Sequence, residues 1–323
     1  ERDFPSLLPE QQRVIAEQGV QQFYQEHPDR IRQQRQKAVA EFKAYFQDEQ
    51  NATYLLSNDP YFWYIETKNY LTYGHLGDTR IQREHWFSPQ DGLLGRTRSL
   101  NSLRNGRQGT LVNVQLHPIF GAYWHRFVQL FDKGIPLEKT FFLFPVVIMA
   151  LSMIPLFFLT RKITGNLGGL VAGIVLATSL PLLDRTMAGE TDTDPYSVLF
   201  PLLISWVFVE MGERSSRKKF LLAAVMGVLL GVYSAIWSGW WYILGLILAT
   251  MFFILVYQTI RQFISRRQPS IDWSEWKKEG IIIGIILLTT GIVSSVLKQN
   301  LYLLPKIFAG PFHFLRLKET AVS

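Results

Sequence analysis

Asp192 and Asp194 stand two residues apart between two uncharged segments, 163–183 and 195–209. In a turn, carboxylates at this spacing can present oxygens to one cation, and Asp59, from a distant part of the chain, can supply a third. An all-oxygen ligand set favours Mg²⁺ or Mn²⁺ over Zn²⁺. The residue types therefore predict a divalent-metal site at the three aspartates, where a metal and a phosphate group could meet.

Several of these residues also have a purely structural interpretation. Asp59 and Asp194 each precede a proline, which predicts that each is the N-cap of a helix. Capping does not exclude ligand binding, since anions also bind at helix N-termini. Arg185, seven residues before Asp192, either neutralises nearby acids at the membrane surface or belongs to the site.

The distribution of apolar residues predicts an all-α protein that crosses a membrane several times. A buried span needs about 20 apolar residues. Uncharged or nearly uncharged segments of that kind predict six spans, at 140–160, 163–183, 195–212, two within 220–260 and one at 280–297. They are internal, long and numerous, so none is a signal peptide.

Basic residues lie on one side of the predicted spans. The loops on that side hold Arg161, Lys162, Arg214, Arg217, Lys218, Lys219, Arg261, Arg266, Arg267, Lys277 and Lys278, whereas between the same spans the other side has only Arg185. The positive-inside rule makes the first side cytoplasmic. The net charge of +7 then reflects orientation, and no nucleic-acid partner is predicted. The chain has no Cys, which excludes a thiolate nucleophile.

We predict four regions. Residues 1–50 form amphipathic helices interrupted at His27-Pro28, and residues 51–138 complete a long outer loop. That loop holds a helix from Asp59 to Gly74, a loop at 75–116 and a second interfacial helix to residue 131. Residues 139–297 carry the six spans, and 298–323 begin another outer loop. His117 and Trp237 lie on outer segments, where each either contacts a lipid-linked phosphate or is structural.

Two stretches together resemble a known family. Arg185-Thr-Met-Ala-Gly-(x)₂-Asp192-Thr-Asp194-x-Tyr and Asn58-Asp59-Pro60-Tyr-Phe-Trp-Tyr are similar to the catalytic subunit of oligosaccharyltransferase, closest to its single-subunit archaeal and bacterial forms. The resemblance runs from about residue 50 to the end. It implies a GT-C-type membrane glycosyltransferase with its active site on the extracytoplasmic face.

The resemblance also implies an activity and a set of partners. Such enzymes transfer an oligosaccharide from a dolichyl or undecaprenyl diphosphate in the membrane lipid to Asn in Asn-x-Ser/Thr of an acceptor polypeptide, with inversion. Asp59 and Asp192 match metal ligands, Asp59 also matching an acceptor contact, and Asp194 matches a residue that completes the shell. The cofactor would be Mn²⁺ or Mg²⁺. Arg185 matches a basic residue beside the site.

Other positions match the family less well. His117 and Trp237 resemble donor-phosphate contacts only loosely, and Glu190 stands where an aromatic residue is more usual. The family's third-loop carboxylate has one candidate in the tail, Glu319, although we expect the true residue beyond Ser323. We also expect a span before residue 1 and a soluble domain after the chain, without which residues 1–323 would be inactive.

Two alternatives remain open. One is another GT-C enzyme that uses polyprenyl-phosphate sugars, such as a protein O-mannosyltransferase. The other is a cation-coupled transporter whose carboxylates bind the ion. Transport sites usually place charges inside the spans near the bilayer midplane. Here the predicted spans lack charges and the acids lie in loops, which favours the enzyme.

Overall fold

The computed structural model describes residues 18, 22, 25–48, 53–213, 216–265 and 273–301. The chain divides into two compact units, Glu1–Tyr54 and Leu55–Ser323. The first unit contains helix α1, Pro28–Phe46, which begins directly after His27 with proline in its first turn. The break predicted at His27-Pro28 is therefore the start of a helix. No residue of α1 is buried, and the rings of Phe42 and Phe46 stack at 6.1 Å on its exposed surface.

The second unit is mainly helical. Its first two helices are α2, Asn58–Tyr73, and α3, Leu116–Gln129, both in the region predicted to be an outer loop. The apolar helices follow as α4 Leu137–Ala177, α5 Leu180–Thr186, α6 Tyr196–Gly212, α7 Ser216–Ser234, the 3₁₀ turn Ser238–Trp240, α8 Trp241–Ser265 and α9 Trp273–Leu297. The buried core lies mainly between these helices, with Phe141, Ile204, Leu230 and Ile286 almost fully enclosed.

Both predicted aspartate N-caps are wrong. Helix α2 begins at Asn58 with Ser57 as its N-cap, so Asp59 lies inside the first turn. Helix α6 begins at Tyr196 with Pro195 as its N-cap. The predicted end of α2 is confirmed, because Gly74 adopts the left-handed conformation (φ 73°) that favours glycine at this position.

Residues 75–116 are not a plain loop, contrary to the prediction. They form a three-stranded antiparallel sheet in the order β1-β4-β5 and a separate hairpin of β2 and β3. The strands are β1 Thr79–Gln82, β2 Phe87–Ser88, β3 Leu93–Leu94, β4 Thr97–Asn101 and β5 Thr110–Val112. They have at most five residues each and no clear apolar alternation, so the sequence carries little strand signal.

Helix α4 is two helical arms joined at Gly165, where φ is 75° and ψ is −174°. A Cβ added at Gly169 would lie 3.2 Å from the carbonyl oxygen of Phe157. In a straight helix these two residues would be about 18 Å apart along the axis. The chain therefore folds back on itself at Gly165, which brings the segment after α4 near the beginning of α4.

Three helices in the described part of the chain are long and apolar enough to cross a membrane: Leu137–Ala177, Ser238–Ile264 and Trp273–Leu297. Tyr196–Gly212 is a shorter apolar helix. These helices agree with the predicted multi-span all-α protein. The number of six spans stays a prediction, as do the four region boundaries.

Helices α7 and α9 pack closely through small residues. A Cβ at Gly227 would lie 2.7 Å from Thr289 Cβ and 2.8 Å from the carbonyl oxygen of Ile286. Near the outer end of the pair, the hydroxyls of Ser234 and Ser294 hydrogen bond at 2.8 Å. Between membrane helices, such close approach supplies the packing that hydrophobic burial supplies in water.

We expect Gly227→Ala to destabilise the protein by about 1–3 kcal/mol, because the added methyl group would meet the backbone of α9. Gly284→Ala is the matched control, since a Cβ there has no neighbour within 4 Å. It should be neutral or slightly stabilising. Thermal unfolding in detergent would compare the two. Equal melting temperatures would contradict the close packing.

A buried ion pair attaches the segment between β4 and β5 to α2. The Glu66 carboxylate is 1% exposed and lies 3.0 Å from an Arg104 guanidinium nitrogen. That guanidinium also lies 3.4 Å from the centre of the Phe62 ring. Burial raises the pKa of Glu66 to about 7, although Arg104 opposes the shift.

This shifted pKa predicts a pH-dependent stability. Glu66 binds its proton more tightly in the folded than in the unfolded state, so stability falls as pH rises from about 4.5 to 7. We expect Glu66→Gln to remove a decline of the order of 1–3 kcal/mol over that window. Melting temperatures between pH 5 and 8 would measure it, with the exposed Glu84→Gln as control. A wild-type slope in Glu66→Gln would contradict the assignment.

Candidate active site

The loop that carries Asp192 and Asp194 is fastened to two other parts of the chain. The Gly189 amide donates to the Phe142 carbonyl at 2.8 Å, and the Gly189 carbonyl accepts from the Leu56 amide at 3.2 Å. The buried Thr191 hydroxyl donates to the Phe141 carbonyl at 2.7 Å. The loop is thus held between the first turns of α4 and the segment that leads into α2.

Gly189 is required by this attachment. Its φ of 94° lies in the region that favours glycine, and a Cβ there would stand 2.7 Å from the Phe142 ring and 2.9 Å from Leu56. A larger residue would separate the loop from both partners. The Met-Ala-Gly of the motif therefore has a geometric role, which is to seat the carboxylates that follow.

Asp192 has a fixed orientation. Its Oδ1 accepts a hydrogen bond from the Trp63 indole nitrogen at 2.8 Å and another from the Thr193 amide at 2.6 Å. Trp63 lies on α2, one helical turn after Asp59, so both project from one face of that helix. Hydrogen bonds to a carboxylate stabilise its charged form. The contact joins the two sequence motifs in space.

Asp194 is half-buried and poorly neutralised. The Arg185 guanidinium lies 3.7 Å from Asp194 Oδ2, and the Arg185 side chain is 73% exposed. Burial, with the negative charge of Asp192 as a second cause, raises the pKa of Asp194 despite Arg185. The structure thus brings Arg185, Asp192 and Asp194 together, and it leaves an excess of negative charge there.

Asp59 lies at the exposed start of α2 beside this loop. Two residues before it, the Ser57 hydroxyl donates to the Glu190 carboxylate at 2.9 Å. Within the described residues, no three His, Cys, Asp or Glu side chains form a cluster that could hold a metal ion. The contact between Ser57 and Glu190 therefore places Asp59 in the vicinity of Asp192 and Asp194. The three carboxylates do not form one cluster. The metal set stays a prediction.

His117 is buried behind the carboxylates. Its Nδ1 lies 3.3 Å from the Tyr196 hydroxyl, and its ring packs edge-on to Trp63 at 5.4 Å. Burial lowers the pKa of His117 to about 4, against the opposing effect of Asp192. The imidazole is consequently neutral at neutral pH. It packs against the rings around Asp192, and its contact with a donor phosphate stays a prediction.

Trp237 stands at the start of the 3₁₀ turn, between the Tyr233 ring at 5.8 Å and the Tyr242 ring at 5.8 Å. It also lines a cavity of about 260 Å³ that Gln115 and Lys298 share. Its predicted contact with a donor phosphate is untested. Glu319 lies outside the described residues.

The sequence reasoning did not single out Trp63, Thr191 or Tyr196 for the site. Two signals were available. Trp63 stands four residues after Asp59, within the motif that begins at Asn58. Thr191 and Tyr196 flank the two aspartates Asp192 and Asp194. What could not be read from the sequence is that one indole donates across 129 residues to Asp192.

Apolar helices of spanning length and a polar site built in the loops at their ends define a multi-span integral membrane protein with loop-borne carboxylates. The chain belongs to the oligosaccharyl transferase STT3 family, whose N-terminal family model matches residues 30–323. The suspected family is therefore confirmed.

Relatives and solved structures agree with this family. A dolichyl-phosphooligosaccharide-protein glycotransferase of Methanococcus voltae is 30% identical over 226 residues, which are 67% of this chain and 23% of that protein. The chain thus spans about a quarter of that relative's length. A protein of the same description from Methanocaldococcus jannaschii is 28% identical over 61% of this chain and 22% of its own length.

The fold is similar to that of the archaeal oligosaccharyltransferase of Archaeoglobus fulgidus. Its complex with an inhibitory peptide and a dolichol-phosphate matches with a TM-score of 0.51 and 13% identity, over 80% of this chain and 30% of that one. Its complex with Zn and sulfate matches with a TM-score of 0.50 and 15% identity, over 84% and 33%. The predicted all-helical polytopic fold is confirmed.

For the oligosaccharyl transfer proposed below, we expect Trp63→Phe to lower the rate about 10- to 100-fold. The substitution keeps an aromatic ring beside His117 and removes the N–H donor to Asp192, and a hydrogen bond to a charged group contributes about 1.5–3 kcal/mol. The loss should appear in kcat more than in the KM for peptide. Trp273→Phe, on an exposed ring, is the control; equal rates in both variants would contradict the positioning role.

Proposed function

We propose that this protein is the catalytic subunit of an oligosaccharyltransferase. It transfers an oligosaccharide from a polyprenyl diphosphate in the membrane to the Asn side chain of Asn-x-Ser/Thr in an acceptor polypeptide. The observation that carries the proposal is the hydrogen bond between Trp63 and Asp192, because it joins the two motifs that resemble this family's site. The family match and the archaeal relatives support it.

We propose that Asp192 and Asp194 hold a divalent cation, with Asp59 as the third carboxylate. The donor set fits such an ion in its chemistry, since two neighbouring carboxylates have one ion pair between them within the described residues, from Asp194 to the exposed Arg185. Oxygen ligands favour Mn²⁺ or Mg²⁺. A structure of the Archaeoglobus fulgidus enzyme contains Zn and sulfate, which supports a metal at this kind of site without selecting the ion. When bound, the ion would neutralise the departing diphosphate.

The protein residues have distinct roles in this proposal. The Asn amide is a weak nucleophile because its lone pair is delocalised, and a carboxylate that accepts its N–H bonds would favour a conformation closer to the transition state. Asp59 is exposed at the start of α2, where an acceptor peptide can reach it. Trp63 and the Thr193 amide orient Asp192, and Arg185 stands beside the pair to contact phosphate oxygens.

We propose that the site faces the extracytoplasmic side. Lys162, near the reversal of α4, pairs with Glu210 and Glu213 at 2.8 Å each. The reversal and the end of α6 are therefore at one end of these helices, and the loop with Asp192 is at the other. The basic loops lie at the first end, which the positive-inside rule makes cytoplasmic.

The test uses the full-length protein with lipid-linked oligosaccharide and a fluorescent Asn-x-Thr peptide. We expect Asp192→Asn to lower the transfer rate at least 100-fold, because it removes a charge from the cation site. We also expect EDTA to abolish transfer and Mn²⁺ or Mg²⁺ to restore it. Gel mobility of the peptide measures the product.

Asp184→Asn is the matched control, since Asp184 is an exposed acid in α5 just before the loop. It should transfer at close to the wild-type rate. Full activity of Asp192→Asn would contradict the site, and full activity in EDTA would contradict the metal. Absence of transfer by folded wild type with several donor lipids would favour the O-mannosyltransferase alternative.

A further inference from the structure

A cavity of about 420 Å³ lies between the outer-loop strands and the end of α9, apart from the aspartate loop. Six basic residues line it: His75, Arg80, Arg83, Arg96, Arg98 and Lys298. No Asp or Glu is among the described residues of its lining. Ligand cavities of small molecules are about 300–1,000 Å³, so this one has the size of a binding site.

Lys298 is the most informative of the six. It directly follows α9, and desolvation is the one influence on its ammonium group found within the described residues, with no hydrogen bond or ion pair. Desolvation lowers the pKa of Lys298 to about 8. Lys298 is half-buried, and an ammonium group that loses part of its hydration is less stable without an anion beside it than with one.

The wall that carries Lys298 is held in place. The Leu94 amide donates to the Gln299 carbonyl at 2.7 Å, and the Leu301 amide donates to the Gly92 carbonyl at 2.8 Å. These bonds attach the chain after α9 to the β2–β3 hairpin. These backbone hydrogen bonds therefore hold Lys298 beside the cavity, at the end of a helix of membrane-spanning length.

Other groups around the cavity do not neutralise the positive charge of its basic residues. The Arg83 guanidinium donates to the Leu93 carbonyl at 3.1 Å, and the nearest carboxylate that acts on Arg83 and Arg98 is the exposed Asp91. Asp78 faces His75, but its oxygens accept three hydrogen bonds from Ser102. Within the described residues, His75 Nδ1 is buried and has no partner.

We propose that this cavity is a second ligand site, which binds a phosphate-type oxyanion. Guanidinium groups match the geometry of phosphate oxygens, and Lys298 adds a point charge. Because α9 ends at Leu297, the cavity lies at the level of lipid headgroups. The oxyanion is then either the headgroup of a membrane lipid or phosphate dissolved outside the membrane. This site is independent of the proposed transfer reaction.

The test measures the melting temperature of the full-length protein in neutral phosphatidylcholine nanodiscs. One arm adds inorganic phosphate, with chloride at matched ionic strength as the reference. The other arm replaces part of the lipid by phosphatidic acid. We expect at least one arm to raise the wild-type melting temperature by about 3 °C or more, since binding to the folded state alone stabilises it.

Two variants and a control make the result specific. Lys298→Gln and Arg98→Gln should lose most of this rise, and Lys298→Gln without phosphate should melt higher than wild type because a buried charge is gone. Lys133→Gln, an exposed lysine outside the cavity, should keep the full rise.

Each outcome decides between sources or against the site. Stabilisation by inorganic phosphate assigns a soluble anion, and stabilisation by phosphatidic acid alone assigns a lipid headgroup. The proposal is overturned if neither arm stabilises the wild type. It is also overturned if both cavity variants are stabilised as strongly as the wild type, because general salt or surface-charge effects would then explain the rise.

Discussion

The hydrogen bond from the Trp63 indole to Asp192 is the contact on which the site depends. It connects a helix of the outer loop with a loop between two apolar helices, two parts of the chain that share no secondary structure. Around it, Gly189 and Thr191 attach the same loop to the beginning of α4 by backbone and hydroxyl bonds. The carboxylates are therefore held by three separate elements at the end of the helices.

That arrangement concentrates negative charge where solvent screening is incomplete. Asp194 is half-buried beside Asp192, and the single charge of the exposed Arg185, paired with Asp194, does not balance two carboxylates. Behind the pair, the neutral His117 and its neighbouring rings add no positive charge. Electrostatic interactions are stronger in such surroundings than in water. The same desolvation that destabilises the two charged carboxylates would strengthen their attraction for a cation.

The sequence predicted the features that depend on composition and local spacing. Long uncharged runs indicated the apolar helices. Gly74 indicated the end of α2, because a helix often ends at a residue in the left-handed conformation, which glycine adopts readily. The predicted aspartate N-caps were wrong by one or two residues, since Ser57 and Pro195 are the N-cap residues. An Asp-Pro pair indicates a helix start and does not identify which neighbour is the cap.

Features that depend on distant pairing were not predictable. The strands between residues 79 and 112 are too short for an apolar period, and their register is set by partners rather than by their own residues. The cavity lined by Arg80, Arg98 and Lys298 needs that sheet and the end of α9 together. In the sequence these basic residues are scattered, and only the fold places them around one space.

The attachment of residues 299–301 to the β2–β3 hairpin also constrains the order of assembly during synthesis. The hairpin leaves the ribosome roughly 200 residues before its partner segment, which at about 5–20 residues per second is a delay on the order of 10–40 s. During that interval the outer loop has an unpaired strand edge. Its completion must wait until α9 has been inserted, so the outer loop and the membrane helices finish folding together.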